Sequence, residues 1–221
     1  MINVMGVLLK IQDGTDEVLE IKDDSTLVSF LGFHTLACEN IIMTCIVGII
    51  DKENKRVIIG GDSAGVGGYD TWIRKDAKVF KVKKFIIGGT SSFRMLQLLR
   101  FSFKPPKRKK RVYEYMCTDF VNELRKCLKK GGYARVDSNE ESGGTFLVGY
   151  KGRLFRIEGD FQVGESVDAF DACGGGQSYA LGSLETSTGN AVDRVTKALE
   201  VAEKRSAGVA GPFELLTNDY E

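Results

Sequence analysis

Residues 44–66 contain two runs of apolar, mostly β-branched residues on either side of a short charged turn. The first run is TCIVGII, the turn is DKENK and the second run is RVIIGGDSAGV. Such runs are typical of strands that are largely buried, and the short polar turn between them predicts a β-hairpin. The chain must therefore supply other segments that cover this hairpin.

The segments that follow alternate between groups of strands and groups of helices. A second strand pair is predicted in AKVFKV and KFIIGGT, a serine-capped helix in SSFRMLQLLRF and a second helix in VYEYMCTDFVNELRKCLKKGG. Strands return in GGTFLVGY, RLFRIEG and FQVGE, followed by helices in QSYALGSLE and NAVDRVTKALEVAEKR and a last apolar run, PFELL. This order predicts an α+β fold, in which two mostly antiparallel sheets are sandwiched between helical layers.

Composition supports one large domain after a short leader. The chain has 221 residues, of which 43% are hydrophobic, so it can bury a sizeable core. Residues 1–43 carry two lysines against seven acidic residues and show little sustained periodicity. We expect residues 1–43 to be a leader, a propeptide or the result of a mis-assigned start, and residues 44–221 to form a single domain. The mild excess of basic residues in that domain is no argument for nucleic-acid binding.

Cysteine and histidine usage restricts the chemistry of the chain. The five cysteines are widely spaced and form no CxxC pair, which disfavours a disulfide framework or a zinc site and favours the cytoplasm. The single histidine, His34, lies in the leader, so a histidine-based triad or a multi-histidine metal centre is disfavoured. We expect no cofactor and no metal. Neither a transmembrane run nor a secretory signal is evident, so we expect a soluble protein that is not exported and has no membrane partner.

Thr44 follows Met43 at the start of the hairpin. If the chain began at Thr44, its α-amine, with an ordinary pKa of roughly 8, could take the proton from its own hydroxyl and create a nucleophile. Within a longer chain that amine is an amide, and a threonine before a strand is usually only a β-former. Thr44 alone therefore leaves both interpretations open.

Three further sites in the sequence, namely Asp62, Lys78 and the serine pair Ser91–Ser92, bear on whether Thr44 is a nucleophile. Asp62 follows the second strand in GGDSAG, and Lys78 begins KVF sixteen residues later. A lysine beside an N-terminal threonine would lower the pKa of its amine and hydroxyl, and a carboxylate would hold that lysine. The backbone N–H groups at Ser91 and Ser92 would lie at a helix start, where they could stabilise an oxyanion. Each position also has an ordinary interpretation: a turn residue, a solvated lysine and a helix cap.

Taken together, this ordered series resembles the proteasome β-subunit and HslV peptidase family of N-terminal nucleophile (Ntn) hydrolases, from Thr44 to roughly Leu216. Thr44 matches the family's nucleophile, and Asp62 and Lys78 match its catalytic acid and lysine at the family's interval. Ser92 falls where the family places the glycine whose N–H lines the oxyanion hole. The segments GGGQSYALG and ALEVAEKRSAG are similar to the family's glycine turn and penultimate helix.

The resemblance implies a proteasome-like Ntn fold with four layers, α/β/β/α, and a threonine protease that cleaves peptide bonds through an acyl-enzyme on Thr44. It also implies peptide or protein substrates, a homo-oligomeric ring and an ATP-dependent unfoldase as a candidate partner. Glu203 and Ser206 correspond to an acid and a serine of the family's active site, although the family's acid is an aspartate. Gly175 stands where the family has a supporting serine, so one hydroxyl near the threonine amine is missing.

Several alternatives remain at this point. Either Met43 is the true initiator and is removed, which we favour, or residues 1–43 are a propeptide that is cleaved before Thr44. An adjacent strand residue points to the opposite face, so Cys45 is interpreted as a packing residue rather than the nucleophile. The protein could instead be an Ntn amidase for small amides, or a catalytically inactive assembly or binding protein. The basic loop KPPKRKKR has no interleaved aromatic residues, and CGGGQ lacks the phosphate-loop pattern, so we expect no nucleic-acid or nucleotide binding.

Overall fold

The structure is a computed structural model that describes residues 44–68, 70–133, 135–137 and 140–221. The predicted leader, with His34 and Cys38, and the Met43 start lie outside the described residues. The strands are β1 Ile46–Asp51, β2 Arg56–Gly61, β3 Ala64–Gly67, β4 Asp70–Ile73, β5 Val79–Val82, β6 Phe85–Gly89, β7 Arg135–Asp137, β8 Glu140–Ser142, β9 Phe146–Tyr150, β10 Arg153–Ile157, β11 Val163–Gly164, β12 Phe170–Cys173 and β13 Glu214–Asp219. The helices are α1 Phe93–Phe101, α2 Val112–Tyr115, a π-helical turn Met116–Phe120, α3 Val121–Lys130, α4 Gln177–Thr186 and α5 Ala191–Arg205.

The larger strands form two antiparallel sheets. One sheet has the order β12-β1-β2-β13, and the other has the order β11-β10-β9-β6-β5. The predicted hairpin is β1 with β2, which pair from Ile46 opposite Gly61 to Asp51 opposite Arg56. Two further hairpins, β3 with β4 and β7 with β8, form separate two-stranded sheets.

Three separate groups of buried apolar side chains show that the described domain has four layers. The middle group, which includes Ile46, Ile59 and Leu147, comes from facing strands of both sheets. A second group packs the five-stranded sheet against α1, α3 and the π-helical turn between α2 and α3. The third packs β1, β2 and β12 against α4 and α5. This arrangement confirms the predicted α/β/β/α sandwich of two antiparallel sheets.

The structure differs from the sequence-based prediction in its shorter elements. Strand β12 was not predicted, because FDAC is short and runs directly into three glycines. Its backbone nevertheless pairs with β1, from Ile46 opposite Cys173 to Ile49 opposite Phe170. The hairpins β3–β4 and β7–β8 were also missed, and the second predicted helix is interrupted by the π-helical turn. Within the described ranges, each helix is too short or too polar to cross a membrane.

Candidate active site

The candidate site lies where the ends of both large sheets meet. Thr44 lies two residues before β1 and Asp62 directly follows β2, so the hairpin register, with Ile46 opposite Gly61, brings the two close together. Lys78 directly precedes β5 of the other sheet. Close packing between the sheets is possible here because a Cβ at Gly61 would lie only 2.8 Å from a methyl group of Val79.

Thr44, Asp62 and Lys78 form one hydrogen-bonded cluster. The Lys78 Nζ lies 2.9 Å from Thr44 Oγ1 and 2.9 Å from each carboxylate oxygen of Asp62. The three residues are almost completely buried, with exposed fractions of 6%, 2% and 3% for Thr44, Asp62 and Lys78. Burial of an ion pair is costly and contributes little net stability, which favours a chemical rather than a stabilising role for this cluster.

Burial also changes the proton affinities of the pair. It lowers the pKa of Lys78 below the ordinary lysine value, although the charge of Asp62 opposes the shift. Burial likewise raises the pKa of Asp62, against the opposing charge of Lys78. Both directions follow from the loss of hydration, which disfavours the charged form of either group. The Lys78 ammonium is therefore easier to deprotonate than that of a solvated lysine.

Backbone donors fix the orientation of Asp62. Its Oδ1 accepts a hydrogen bond of 2.9 Å from the Cys45 N–H, and its Oδ2 accepts one of 3.0 Å from the Ala64 N–H. Each carboxylate oxygen thus has one backbone donor and the Lys78 ammonium. This arrangement holds Lys78 against the Thr44 hydroxyl in a single geometry.

A glycine turn between β12 and α4 holds the Thr44 backbone. The Gly176 N–H donates a hydrogen bond of 3.1 Å to the Thr44 carbonyl oxygen. Gly174 has a φ of +99°, and a Cβ at this position would lie 2.3 Å from the same oxygen. Only glycine fits there, since an added Cβ would clash with backbone. The sequence signal was the run of three glycines, but the contact with Thr44 was not predicted.

The turn before α1 contains Ser92, the predicted oxyanion donor. The Ser92 N–H donates a hydrogen bond of 2.8 Å to the Thr90 carbonyl oxygen, and the residue between them, Ser91, has a φ of +67°. This three-residue γ-turn with positive φ is a strained conformation for a residue other than glycine. Ser92 also caps α1, because its side chain accepts from the Arg94 N–H at 3.1 Å.

Glu203 and Ser206 lie near the end of α5. Glu203 Oε1 accepts a hydrogen bond of 2.7 Å from the Gly211 N–H, and Ser206 is the residue at which α5 ends. Among the described residues, neither side chain forms a hydrogen bond with Asp62 or Lys78. Glu203 is connected to the site indirectly, because Ala210, the residue before Gly211, has a carbonyl oxygen that accepts from the Ser63 N–H.

Cys45 is a packing residue, as strand alternation predicted. Its side chain is completely buried in the core formed with α4 and α5. Burial raises the pKa of its thiol to about 12, with a smaller contribution from the charge of Asp62. A thiol of this kind is protonated at neutral pH and is a poor nucleophile.

Two residues that sequence reasoning missed border the cluster. The Arg74 guanidinium lies 3.8 Å from the centre of the Phe93 ring, and it forms two hydrogen bonds with Asp76. The Lys78 Nζ lies 5.7 Å from the same ring. The contact between the Arg74 guanidinium and the Phe93 ring was not predictable, because the two residues are far apart in the sequence and belong to no common motif.

Neither a protein-family model nor a curated protein sequence matches the chain. Solved structures do match. BPH of Thiobacillus denitrificans, a proteasome-like protein, has a TM-score of 0.68 at 20% identity and covers 80% of this chain and 99% of its own. BPH in complex with epoxomicin has a TM-score of 0.66 at 19% identity, with 80% and 100% covered.

Eukaryotic HslV from Trypanosoma brucei is also similar, with a TM-score of 0.57 at 17% identity and coverage of 80% of this chain and 100% of its own. The three matches cover 99% to 100% of the solved chains and 80% of this chain. At these identities the comparison establishes the fold. The chain therefore has the proteasome- and HslV-like Ntn-hydrolase fold.

Proposed function

We propose that the protein is a threonine-type Ntn hydrolase that cleaves peptide bonds with Thr44 as its nucleophile. The single observation that carries this proposal is the contact between Lys78 Nζ and Thr44 Oγ1, made inside a buried cluster that Asp62 completes. A buried cation beside a hydroxyl lowers the pKa of that hydroxyl, which is the change that a threonine nucleophile needs.

The reaction begins with an N-terminal Thr44. Its α-amine accepts the proton of Oγ1 while Oγ1 forms a bond to the substrate carbonyl carbon, and the carbonyl oxygen becomes an oxyanion. The protonated amine then gives that proton to the departing substrate nitrogen as the C–N bond breaks. The resulting ester is hydrolysed when the same amine takes a proton from water, the hydroxide adds to the ester carbon, and Oγ1 leaves with the proton.

Lys78 acts in this scheme as an ammonium ion. It stabilises negative charge on Oγ1 and, through its charge, lowers the pKa of the Thr44 α-amine, so that the amine is unprotonated near neutral pH. Asp62 keeps Lys78 in place and partly offsets the cost of burying its charge. Neither residue exchanges a proton with the substrate.

Ser92 contributes its backbone N–H to the oxyanion. In the unliganded turn that N–H is donated to Thr90, so the proposal requires the bond to be exchanged for one to the substrate oxygen. The strain at Ser91 supports this exchange, because leaving a strained turn offsets part of the lost hydrogen bond.

Glu203 and Ser206 have supporting roles in this proposal. Glu203 holds Gly211 in the segment that contacts Ser63, the residue after Asp62. Ser63 Oγ donates to the Pro212 carbonyl oxygen at 2.6 Å, which ties the same segment to the end of β2. Ser206 fixes the end of α5 from which this segment departs.

The start of the mature chain, its assembly, its partner and its location are also proposals, and they are based on the similarity to BPH and HslV. The α-amine is exposed either by removal of Met43 or by cleavage of a propeptide. Identical subunits assemble into a ring that encloses the sites, an ATP-driven unfoldase delivers protein substrates, and the protein works in the cytoplasm. Light scattering of the purified protein, with and without an unfoldase, tests the assembly part independently of activity.

The test of function is hydrolysis by a protein whose first residue is Thr44. A panel of fluorogenic acyl-peptides is compared with acylated small amines, for wild type, Thr44→Ala and the exposed control Thr186→Ala. We expect peptide hydrolysis in wild type and in the control but none in Thr44→Ala. Epoxomicin, which is bound in the BPH complex, should add its mass to the peptide that begins with Thr44.

Three results would contradict the proposal. Hydrolysis of small amides alone would favour an Ntn amidase. Equal hydrolysis by wild type and Thr44→Ala would exclude Thr44 as the nucleophile. A correctly assembled wild type that begins at Thr44 and hydrolyses neither substrate class would favour an assembly or binding protein.

A further inference from the structure

Arg156 connects the two large sheets next to the candidate site. The residue belongs to β10, but its Nη1 donates a hydrogen bond of 2.9 Å to the Ala172 carbonyl oxygen of β12. Its Nη2 donates one of 3.2 Å to Gln177 Oε1, at the first residue of α4. These bonds bracket the glycine turn 174–176, which holds the Thr44 carbonyl oxygen through the Gly176 N–H. Arg156 therefore fixes both ends of the segment that supports Thr44.

The same guanidinium is connected to the turn formed by Thr90, Ser91 and Ser92, which carries the proposed oxyanion donor. Arg156 Nε donates to Glu158 Oε1, and Glu158 Oε2 accepts from Thr145 Oγ1 at 3.3 Å. The Thr145 carbonyl oxygen in turn accepts from the Thr90 N–H at 3.0 Å and from Thr90 Oγ1 at 2.9 Å. The Thr145 N–H donates to Ser91 Oγ at 3.3 Å. Thr90 and Ser91 form the turn that carries the Ser92 N–H.

We propose that Arg156 and Glu158 are a positioning pair that sets the separation between the Thr44 hydroxyl and the Ser92 N–H. The inference rests on the proposed function, since only a reaction that uses both groups requires their separation to be fixed. Neither residue touches the reacting atoms. Their effect is transmitted by the glycine turn on one side and by Thr145 on the other.

The chemistry of the pair suits this role. A guanidinium is planar and presents its N–H groups in a fixed fork, so it can hold three acceptors at set angles, which a lysine cannot do. The side chains of Arg156 and Glu158 are only 24% and 33% exposed, and Asp171 Oδ1 lies 3.7 Å from Arg156 Nη1. Solvent therefore competes only partly for these bonds. Reacting atoms must be held within narrow limits, and a misplacement of about 1 Å can reduce a rate about 100-fold.

The chain supplies a matched control for this pair. Arg153 lies on the same strand and forms the same type of ion pair, with Glu165, but neither residue has a hydrogen bond to the glycine turn or to Thr145 within the described ranges. We expect Arg156→Met to lower kcat about 10- to 100-fold with little change in KM, because binding contacts remain while alignment is lost. Arg153→Met should leave kcat unchanged. Arg156→Lys should not restore it.

A double variant tests whether the two residues act as a unit. Arg156→Met/Glu158→Gln should be no slower than Arg156→Met alone, because the first substitution already interrupts the connection. If Arg156→Met does not fold, Glu158→Gln is used instead, since it keeps the arginine and removes one charge. We expect it to lower kcat with little change in KM, as for Arg156→Met. Additive losses in kcat would overturn the proposal.

Amide hydrogen exchange gives a readout that does not depend on activity. The Gly176 N–H donates to the Thr44 carbonyl oxygen on one side of the pair, and the Thr90 N–H donates to the Thr145 carbonyl oxygen on the other. Both amides should exchange faster in Arg156→Met, and their exchange rates should be unchanged in Arg153→Met. Faster exchange at only one of these amides, or at neither, would overturn the proposed coupling. An inactive wild type would refute the proposed function, whereas the exchange result would still decide whether the pair couples the two segments.

Discussion

The Lys78 ammonium lies 2.9 Å from the Thr44 hydroxyl oxygen, although 34 residues separate the two in sequence and they precede strands of different sheets. The contact is possible because the middle core packs the two sheets closely at this end and because Asp62 holds the ammonium from the other side. It makes the chemistry of Thr44 dependent on the charge of Lys78.

The buried ion pair should affect stability and activity in separable ways. Lys78→Met leaves the Asp62 carboxyl buried without its cation and should destabilise the fold by about 3 kcal/mol. Asp62→Asn/Lys78→Met removes both charges and should recover most of that free energy of unfolding, yet it should hydrolyse peptides at least about 100-fold more slowly than wild type. Denaturant unfolding and kcat measurements check the two effects.

Lys81→Met, at an exposed lysine of β5, is the control and should change neither quantity. A double variant that hydrolyses peptides at the wild-type rate would show that Lys78 is dispensable for chemistry. A double variant that is less stable than Lys78→Met would show that the charges stabilise the fold.

The pH dependence of kcat/KM should be bell-shaped. The rising limb reports loss of a proton from the Thr44 α-amine, and the Lys78 charge should place it below the ordinary α-amino pKa of roughly 7.7 to 8.0. The falling limb reports loss of the Lys78 proton. Because burial lowers the pKa of Lys78, this limb should begin below pH 10.4, roughly the ordinary lysine value.

The rates are measured from pH 5 to pH 10.5, roughly the range in which both groups titrate. Circular dichroism at each pH establishes that the protein stays folded. A plateau that continues through the ordinary lysine pKa in folded protein would mean that the charged form of Lys78 is not required.

The role of the glycine turn in positioning Thr44 can be tested by comparing the same glycine-to-alanine substitution at two positions. Gly174 and Gly189 both have positive φ values, of +99° and +109°, so alanine should strain the backbone at either position by about 1 to 2 kcal/mol. Only Gly174 also faces the Thr44 carbonyl oxygen, whereas a Cβ at Gly189 would meet nothing within 4 Å. Gly174→Ala should therefore cost more stability and abolish hydrolysis, while Gly189→Ala should retain it.

Thermal unfolding and peptide hydrolysis of both variants provide the comparison. Equal activity in Gly174→Ala and Gly189→Ala would show that the contact between the glycine turn and Thr44 does not position the nucleophile.

The identity of the nucleophile can be tested at the adjacent cysteine. Cys45→Ala should keep kcat within about threefold of wild type, because a buried thiol with a raised pKa has no chemical role. It should lower the free energy of unfolding by about 1 kcal/mol through lost packing. Thr44→Ala should be inactive. Loss of activity in a folded Cys45→Ala protein, with activity kept in Thr44→Ala, would assign the reaction to Cys45.

The sequence predicted those parts of the fold that depend on local pattern. The β1–β2 hairpin was recognisable from two apolar runs and one turn, and its register then brought Thr44 beside Asp62. The order of strands and helices predicted four layers, since each apolar face needs a cover. The resemblance to the proteasome and HslV family, which includes the interval between Asp62 and Lys78, implied that these two residues share a site with Thr44.

The missed features depend on long-range pairing. Strand β12 is short and has a mixed pattern, and it is stabilised by pairing with β1 more than a hundred residues earlier. Arg156 follows the ordinary alternation of β10, so its pattern does not indicate that its side chain reaches Ala172 of the other sheet. The role of Glu203 stays a prediction, but its hydrogen bond from the Gly211 N–H was not predictable, because it depends on how the chain after α5 turns back past the helix end.

The central claim, that Thr44 is the first residue and the nucleophile, is tested most directly by the N-terminal sequence and intact mass of the protein expressed from its native gene with the upstream codons included. The account predicts a chain that begins at Thr44, with the α-amine that the mechanism requires. A stable, assembled protein that still carries residues before Thr44 would contradict it, because the amine would remain an amide and could not act as the base.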